Sequence, residues 1–501
     1  MPKVRTLLIV LIALWGPALP AQAPRFSPDW DSLAKREPAP PWFRDAKLGI
    51  YFHWGVYSVP AFGSEWYPRN MHFPDSPENK HHLATYGPLS EFGYHDFVPM
   101  FKAERFDANE WAALFEKAGA RFAGPVAEHH DGFSMWASKV NPWNAKDMGP
   151  KRDITGELAT AVRRRGMKLV TTFHHDRHCQ IYQDAADEKR FQDSHYPFFR
   201  GMPPTSDDPL LKILYGNIPR GECYEKYWLG KLKEVIDGYR PDLIWFDSWL
   251  DKIPDEKRRQ FAAYYLNRAA EWKKDVVITY KQEDLPPEVG VLDLEKGRMG
   301  DVTPRPWLTD DTISKGSWCY TQDLEIKPTS IVLHSLIDIV SKNGVLLLNI
   351  SPKADGTIPD NQRAVLLGMG EWLGKFGEAI YRTRPWFRYG EGPTQLERGR
   401  FGGFTDKAGY TPQDLRYTTK GASVYVIALG WPGAGTELVA RAFAADAGRP
   451  ALEINKVSLL GSQEAVRWKL GPEGLSLIAP SSKVHDLAVV FKVETASKVA
   501  P

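Results

Sequence analysis

The sequence predicts a (β/α)8-like barrel followed by a C-terminal β-sandwich. Three observations carry this. Strand-like and helix-like runs alternate over about three hundred residues, most strand-like runs end in a polar group, and the pattern changes near Trp386.

The strand-like runs are Leu48–His53, Arg121–Glu128, Lys168–His174, Asp242–Phe246, Asp275–Tyr280 and Val345–Ile350. Helical periodicity falls between them at Ala108–Ala118, Thr155–Arg165, Tyr224–Tyr239, Lys257–Lys273, Thr329–Ser341 and Gln362–Lys375. Such alternation implies a parallel sheet with right-handed crossovers, either closed or doubly wound. A doubly wound sheet gathers its ligand at one switch point, over a Gly-rich phosphate turn, and no such turn follows any run here. A closed barrel instead builds its site from the C-terminal ends of successive strands. The runs do end that way: in His53-Trp54-Gly55, Glu128-His129-His130-Asp131, His174-His175-Asp176, Asp247, Lys281 and Asn349. The barrel is therefore expected over residues 24–385.

Beyond it lie short runs separated by Gly, Pro and Asp: Leu415–Thr418, Ser423–Leu429, Glu437–Arg441, Lys456–Leu460, Arg467–Lys469, Leu475–Ile478 and Leu487–Val493. This is the signature of a small sandwich, expected over residues 386–496. Ahead of the barrel, Lys3 and Arg5 precede the apolar run Leu7–Trp15 and the small-x-small triplet Ala21-Gln22-Ala23. Residues 1–23 thus read as a secretory signal peptide, and the expectation is a secreted or periplasmic protein.

Composition narrows the function. Over 501 residues, 64 Lys+Arg against 62 Asp+Glu give a net charge of +2, without the basic footprint a nucleic-acid binder needs. No later run approaches the roughly 18–20 apolar residues of a membrane span. Aromatics at 12%, with 18 Trp, supply ample apolar surface for folding and suit a protein that stacks on sugar C–H faces. Cys179, Cys223 and Cys319 lack CxxC spacing and form no disulfide framework; at most one pair can bridge within the chain. Nothing in the sequence sets an oligomeric state.

Of the 13 His, 11 lie between His53 and His195. They could ligate zinc, as the spacing of His174-His175 and His178 superficially allows. Against this, HExxH is absent, and adjacent histidines on a strand point to opposite faces, which separates His129 from His130. The expectation is no metal and no cofactor, with the histidines hydrogen-bonding ligand hydroxyls beside stacking Trp54, Trp66 and Trp136. Asp247 ends the apolar run Asp242-Leu-Ile-Trp-Phe and is flanked by Trp245 and Trp249. An ionisable group there suits a nucleophile at an anomeric carbon, given a second carboxyl about 5–5.5 Å away.

At these residues the chain resembles the α-L-fucosidases of glycoside hydrolase family 29. The matching segments are Trp42-Phe43-Arg44-Asp45 through His53-Trp54-Gly55 to Pro60, Ser64-Glu65-Trp66-Tyr67, and His129-His130-Asp131-Gly132-Phe133 with Trp136. Others are Gly149-Pro150-Lys151-Arg152-Asp153, Trp245-Phe246-Asp247, Leu348-Asn349 and Gly377-Glu378. The likeness runs in order over about residues 42 to 430. It implies a retaining exo-hydrolase of terminal α-L-fucosides on oligosaccharides or glycoconjugates, with Asp247 as nucleophile. It also implies that His53, Glu65, Trp66, His129, His130 and Trp245 bind the sugar. The general acid falls in a variable region, where Glu295 is the best match and Glu283, Asp310 and Asp311 are rivals. One register puts Arg298 at that position instead. Lys281 stands where many members have Arg. Two alternatives remain at this point: a fucose-binding protein without catalysis, and a relative acting on α-L-galactosides.

Overall fold

The computed structural model describes residues 25–180, 194–196, 202–399, 403–405, 409–445 and 452–500. The signal-peptide assignment lies outside the described residues. Eight parallel strands close into a barrel: β1 (Leu48–Phe52), β2 (Phe122–Glu128), β3 (Lys168–Phe173), β4 (Leu243–Phe246), β5 (Val277–Lys281), β6 (Val291–Asp293), β7 (Trp307–Thr312) and β8 (Gly344–Ile350). β1 pairs with β2 on one side and β8 on the other, which closes the ring.

The period of two along each strand decides what fills the ring. Tyr51, Phe122, Val126, Val170, Leu243, Trp245, Val277, Val291, Leu308, Val345 and Leu347 form one buried interior cluster, with Phe43 among the residues packed into it. The alternate residues, such as Ile50, Phe52, Ile244 and Phe246, face the surrounding helices. Gly49 has no room for a side chain, because a Cβ there would sit 2.2 Å from the ring of Phe122.

The two strands absent from the sequence reading, β6 and β7, have physical reasons to be inconspicuous. β6 is three residues long, too short to show a period. β7 is Trp-Leu-Thr-Asp-Asp-Thr, whose polar half breaks the hydrophobic pattern. No helix lies between β5 and β6 or between β6 and β7, so the alternation lapses there too. A cavity of about 690 Å³ opens beside that bare stretch, between the N-terminal segment and the starts of β6 and β7.

After the helix Asp360–Phe376 the chain enters two antiparallel sheets. β9 (Arg384–Glu391) starts them, followed by a short pair, β10 (Glu397–Arg398) and β11 (Phe404–Thr405). Then come β12 (Leu415–Lys420), β13 (Ser423–Ala428), β14 (Glu437–Ala440), β15 (Ile454–Leu459), β16 (Arg467–Gly471), β17 (Gly474–Ile478) and β18 (Val489–Thr495). One sheet has the order β15-β18-β13-β12-β9 and the other β14-β17-β16. Trp386, Tyr417, Val424, Leu438, Leu475, Leu477 and Phe491 share the core between them. β9 escaped the sequence reading because its middle, Phe387 and Arg388, is exposed and blurs the alternation.

The barrel and the sheets are joined by a buried ionic cluster. Asp338, on the helix Thr329–Ser341, meets Arg416 of β12 at 2.5 Å, Lys342 at 2.8 Å and Arg298 at 3.7 Å. No helix among the described residues is long and apolar enough to cross a membrane. Cys179 and Cys223 are disulfide-bonded, and Cys319 is a buried free thiol.

Candidate active site

Continuing the interior rows of the barrel by two residues past the packed core reaches its mouth. Trp245 leads to Asp247, Thr279 to Lys281, Asp293 to Glu295, Leu308 to Asp310, Tyr51 to His53, Thr172 to His174 and Leu347 to Asn349. All of these but Asn349, which is hydrogen-bonded to His53, line a cavity of about 480 Å³, with Glu65, Trp66, His129, His130, Trp249, Lys296 and Trp318 completing the wall. All eight residues expected in the site are there: Asp247, Glu295, His53, Glu65, Trp66, His129, His130 and Trp245.

Lys281 organises the acidic side. Its ammonium lies 3.2 Å from Asp247, 2.9 Å from Glu295, 3.4 Å from Asp310 and 3.8 Å from Asp293. Four carboxyl groups therefore converge on one cation. Asp293 also accepts from the Trp245 indole N–H at 3.1 Å and from the Asp310 amide at 2.9 Å, while Tyr51 donates to Asp310 at 3.0 Å. Burial and the neighbouring Asp310 carboxylate hold Asp293 well above its ordinary value. Asp247 goes the other way. Burial pushes it up, but the Lys281 ammonium outweighs burial and keeps it well below the usual carboxylate range. Glu295 is raised to about 7 by burial, opposed by Lys281 and reinforced by the charges of Asp310 and Asp247.

These environments separate the candidate acids. Glu295 keeps 18% of its side chain exposed, beside the cation that also holds Asp247. Asp310 is sealed at 2% and tied to Tyr51. Asp311, one residue off the interior row, faces outward to Lys327 at 2.9 Å. Glu283 is exposed outside the cavity, and Arg298 belongs to the junction cluster around Asp338. Access to the cavity beside Asp247 belongs to Glu295, the carboxyl raised to about 7.

The opposite wall is histidine. His53 donates from its backbone N–H and from Nδ1 to Asn349 Oδ1, both at 2.9 Å, which leaves Nε2 for a ligand. Asn349 is oriented in turn by giving its amide protons to Thr312 and the Trp318 carbonyl. His130 Nδ1 donates to the His174 carbonyl at 2.5 Å, and its Nε2 lies 3.6 Å from Asp247. Burial lowers the proton affinity of His53 to about 3 and depresses His129, His130 and His174 as well. Neutral rings with a free lone pair accept hydroxyl protons. Glu65 closes this side, accepting from the Trp318 amide at 3.0 Å and from the Ser317 hydroxyl at 3.3 Å.

His53, His129 and His174 also bring one ring nitrogen each within 4.8 Å of the others, so this is where a cation would find three neutral donors. The alternation argument that separated His129 from His130 fails here. β2 ends at Glu128, the chain turns, and both rings enter the cavity with centroids 4.5 Å apart. Glu128 itself points away and is buried against Lys231 at 2.5 Å. Two expected stacking residues are also corrected. Trp54 packs among Phe101, Phe106 and Trp111, and Trp136 packs on Phe173, both in the core. Trp249 and Trp318 are the cavity indoles in their place.

Comparison with known proteins agrees with this geometry. A family model described as Alpha-L-fucosidase matches residues 15–378, and one described as Alpha-L-fucosidase C-terminal domain matches residues 409–494. Tissue alpha-L-fucosidase of Bos taurus is 32% identical, over 91% of this chain and 87% of that protein. The Homo sapiens tissue enzyme is 31% identical, over 94% and 93%. Among solved structures, Thermotoga maritima alpha-fucosidase in complex with fucose superposes with a TM-score of 0.71 at 29% identity, covering 94% of this chain and 100% of that one. A barrel mouth where carboxyl groups share one cation opposite a histidine wall is thus accompanied by likeness along nearly the whole chain, and the chain belongs to the α-L-fucosidase family.

Proposed function

We propose that Asp247 and Glu295 are the nucleophile and the acid/base with which this fucosidase hydrolyses terminal α-L-fucosides, through a covalent fucosyl-enzyme and with net retention. The observation that carries it is the shared ammonium. Oxygens of Asp247 and Glu295 lie 3.2 Å and 2.9 Å from Lys281 Nζ, so they cannot be farther apart than those two lengths together. That is less than the roughly 6.5–9.5 Å needed to seat a water between inverting carboxyls, and compatible with the roughly 5–5.5 Å of a retaining pair.

In the first step the Asp247 carboxylate attacks the anomeric carbon. The glycosidic C–O bond breaks, and the leaving oxygen takes the proton of Glu295. In the second step Glu295, now a carboxylate, takes a proton from water whose oxygen attacks the same carbon, releasing fucose and Asp247. Lys281 suits both steps. While Asp247 is charged, burial and carboxylate repulsion, partly offset by the ammonium, leave Glu295 titrating near neutrality. Once Asp247 is an ester its charge is gone, and the ammonium serves the Glu295 carboxylate. His53, His129, His130 and Glu65 read the ring hydroxyls, and Trp66 and Trp245 supply apolar faces.

The binding-only alternative has no observation in its favour, because an accessible carboxyl titrating near 7 sits beside an ionised partner. The N-terminal pattern supports export, and the Cys179–Cys223 disulfide suits an oxidising compartment. The test is proton NMR of an aryl α-L-fucoside during turnover. The α-anomer of fucose should appear before mutarotation; the β-anomer appearing first would refute the pair.

A further inference from the structure

Two residues beyond the nucleophile, Trp249 is held at φ 88° and ψ 0°. A bulky side chain rarely adopts this left-handed backbone, which persists only where surrounding structure or a function maintains it. The residue is half-buried and lines the cavity. The Arg177 guanidinium lies 3.8 Å from the centre of its ring and 5.1 Å from that of Trp66. Trp66 in turn lies 4.4 Å from His130, whose Nε2 is 3.6 Å from Asp247. A continuous row of contacts therefore runs from the nucleophile through His130, Trp66 and Arg177 to Trp249.

The hydrolytic pair and the histidine wall account for the inner part of this row but give Trp249 no task. We propose that Trp249, backed by Arg177, is the platform for the leaving group, and that its ligand is the pyranose ring to which fucose is attached. The chemistry fits. The indole face is apolar and electron-rich, and the C–H face of a pyranose stacks on such a surface. Arg177 is 7% exposed, so the cation that positions the indole is itself fixed. A left-handed tryptophan is tolerated where the same loop must aim Asp247 inward and, two residues later, present an aromatic face to the cavity.

This inference rests on the fucosidase reading, and the test separates the two. α-L-Fucosyl fluoride has a leaving group with no ring, whereas an α-L-fucosyl disaccharide presents a pyranose. The readout is the ratio of kcat/KM on the disaccharide to that on the fluoride. Trp249→Gly deletes the indole and relaxes the backbone, since glycine accepts this φ. It should lower the ratio about five- to tenfold, the size of a lost stacking contact, with the loss in KM. Trp249→Phe should restore most of it. An unchanged ratio, or equal losses on both substrates, would overturn the platform. Failure of the unaltered enzyme to hydrolyse the fluoride would overturn the fucosidase reading instead.

Discussion

Two buried ionic clusters in this molecule have opposite charge balance. At the barrel mouth, four carboxyl groups surround one ammonium, that of Lys281. At the junction between barrel and sandwich, three cations surround one carboxylate, that of Asp338. The same two effects, burial and Coulomb attraction, act in both. Buried carboxyl groups in excess of the cation are pushed up: Asp293 lies well above its ordinary value and Glu295 titrates at about 7. Excess cations outweigh the burial of Asp338 and drive its proton affinity far down, so it never changes state at ordinary pH. One arrangement stores an exchangeable proton beside a cavity; the other locks two layers together. What marks the barrel mouth as a site of chemistry is that its surplus is of carboxyl groups, one of which is raised toward neutrality and open to the cavity.

Removing a centre from each cluster should therefore fail differently. Asp247→Gly should lower kcat on an aryl α-L-fucoside by about 10³-fold or more, roughly 4 kcal/mol of barrel-mouth chemistry, with an unchanged unfolding midpoint. Retained turnover would remove Asp247 from the mechanism. Asp338→Ala should do the reverse. It strands Arg298, Lys342 and Arg416 around a buried void and should cost about 3–5 kcal/mol in denaturant unfolding, while KM for the folded fraction holds. A stability loss below about 1 kcal/mol would show that the junction cluster is not a lock. The junction also has a pH signature. Because Asp338 is depressed in the folded chain, its stabilisation is present above the unfolded carboxylate range and is lost as pH falls through its folded value.

The smallest expected effect is a shift. In the kcat/KM profile the acidic limb reports Asp247 losing its proton and the basic limb reports Glu295 losing its own, near 7. Lys281 lowers both carboxyl groups, so Lys281→Met should move both limbs to higher pH. Limbs that stay in place would mean that Lys281 does not couple the pair.

Much of this was legible in the sequence because a strand repeats every two residues. Leu243, Trp245 and Asp247 share a face, so an apolar run ending in Asp announces a carboxylate aimed out of a core. The same rule, applied one residue further, excludes Trp54: if His53 faces the cavity, its neighbour faces the helices, where Trp54 indeed packs. The choice among Glu295, Asp310 and Asp311 was not legible. It depends on β6 and β7, one too short and one too polar to show a period, and on the convergence of residues from three strands upon Lys281 of a fourth. Lys281 was visible as the residue after a strand-like run, but its reach to four acids is a property of the closed ring. Trp249 and Trp318 sit on loops, where spacing carries no orientation.

The central claim is that Asp247 carries the sugar while Glu295 carries the proton. It is tested most directly by turnover of 2-deoxy-2-fluoro-α-L-fucosyl fluoride, whose fluorine slows release of the glycosyl-enzyme, followed by peptide mass spectrometry. The expected result is one fluorofucosyl group, on the peptide containing Asp247 and on that side chain. A label on Glu295 or Asp310, or inactivation with no label, would contradict the account.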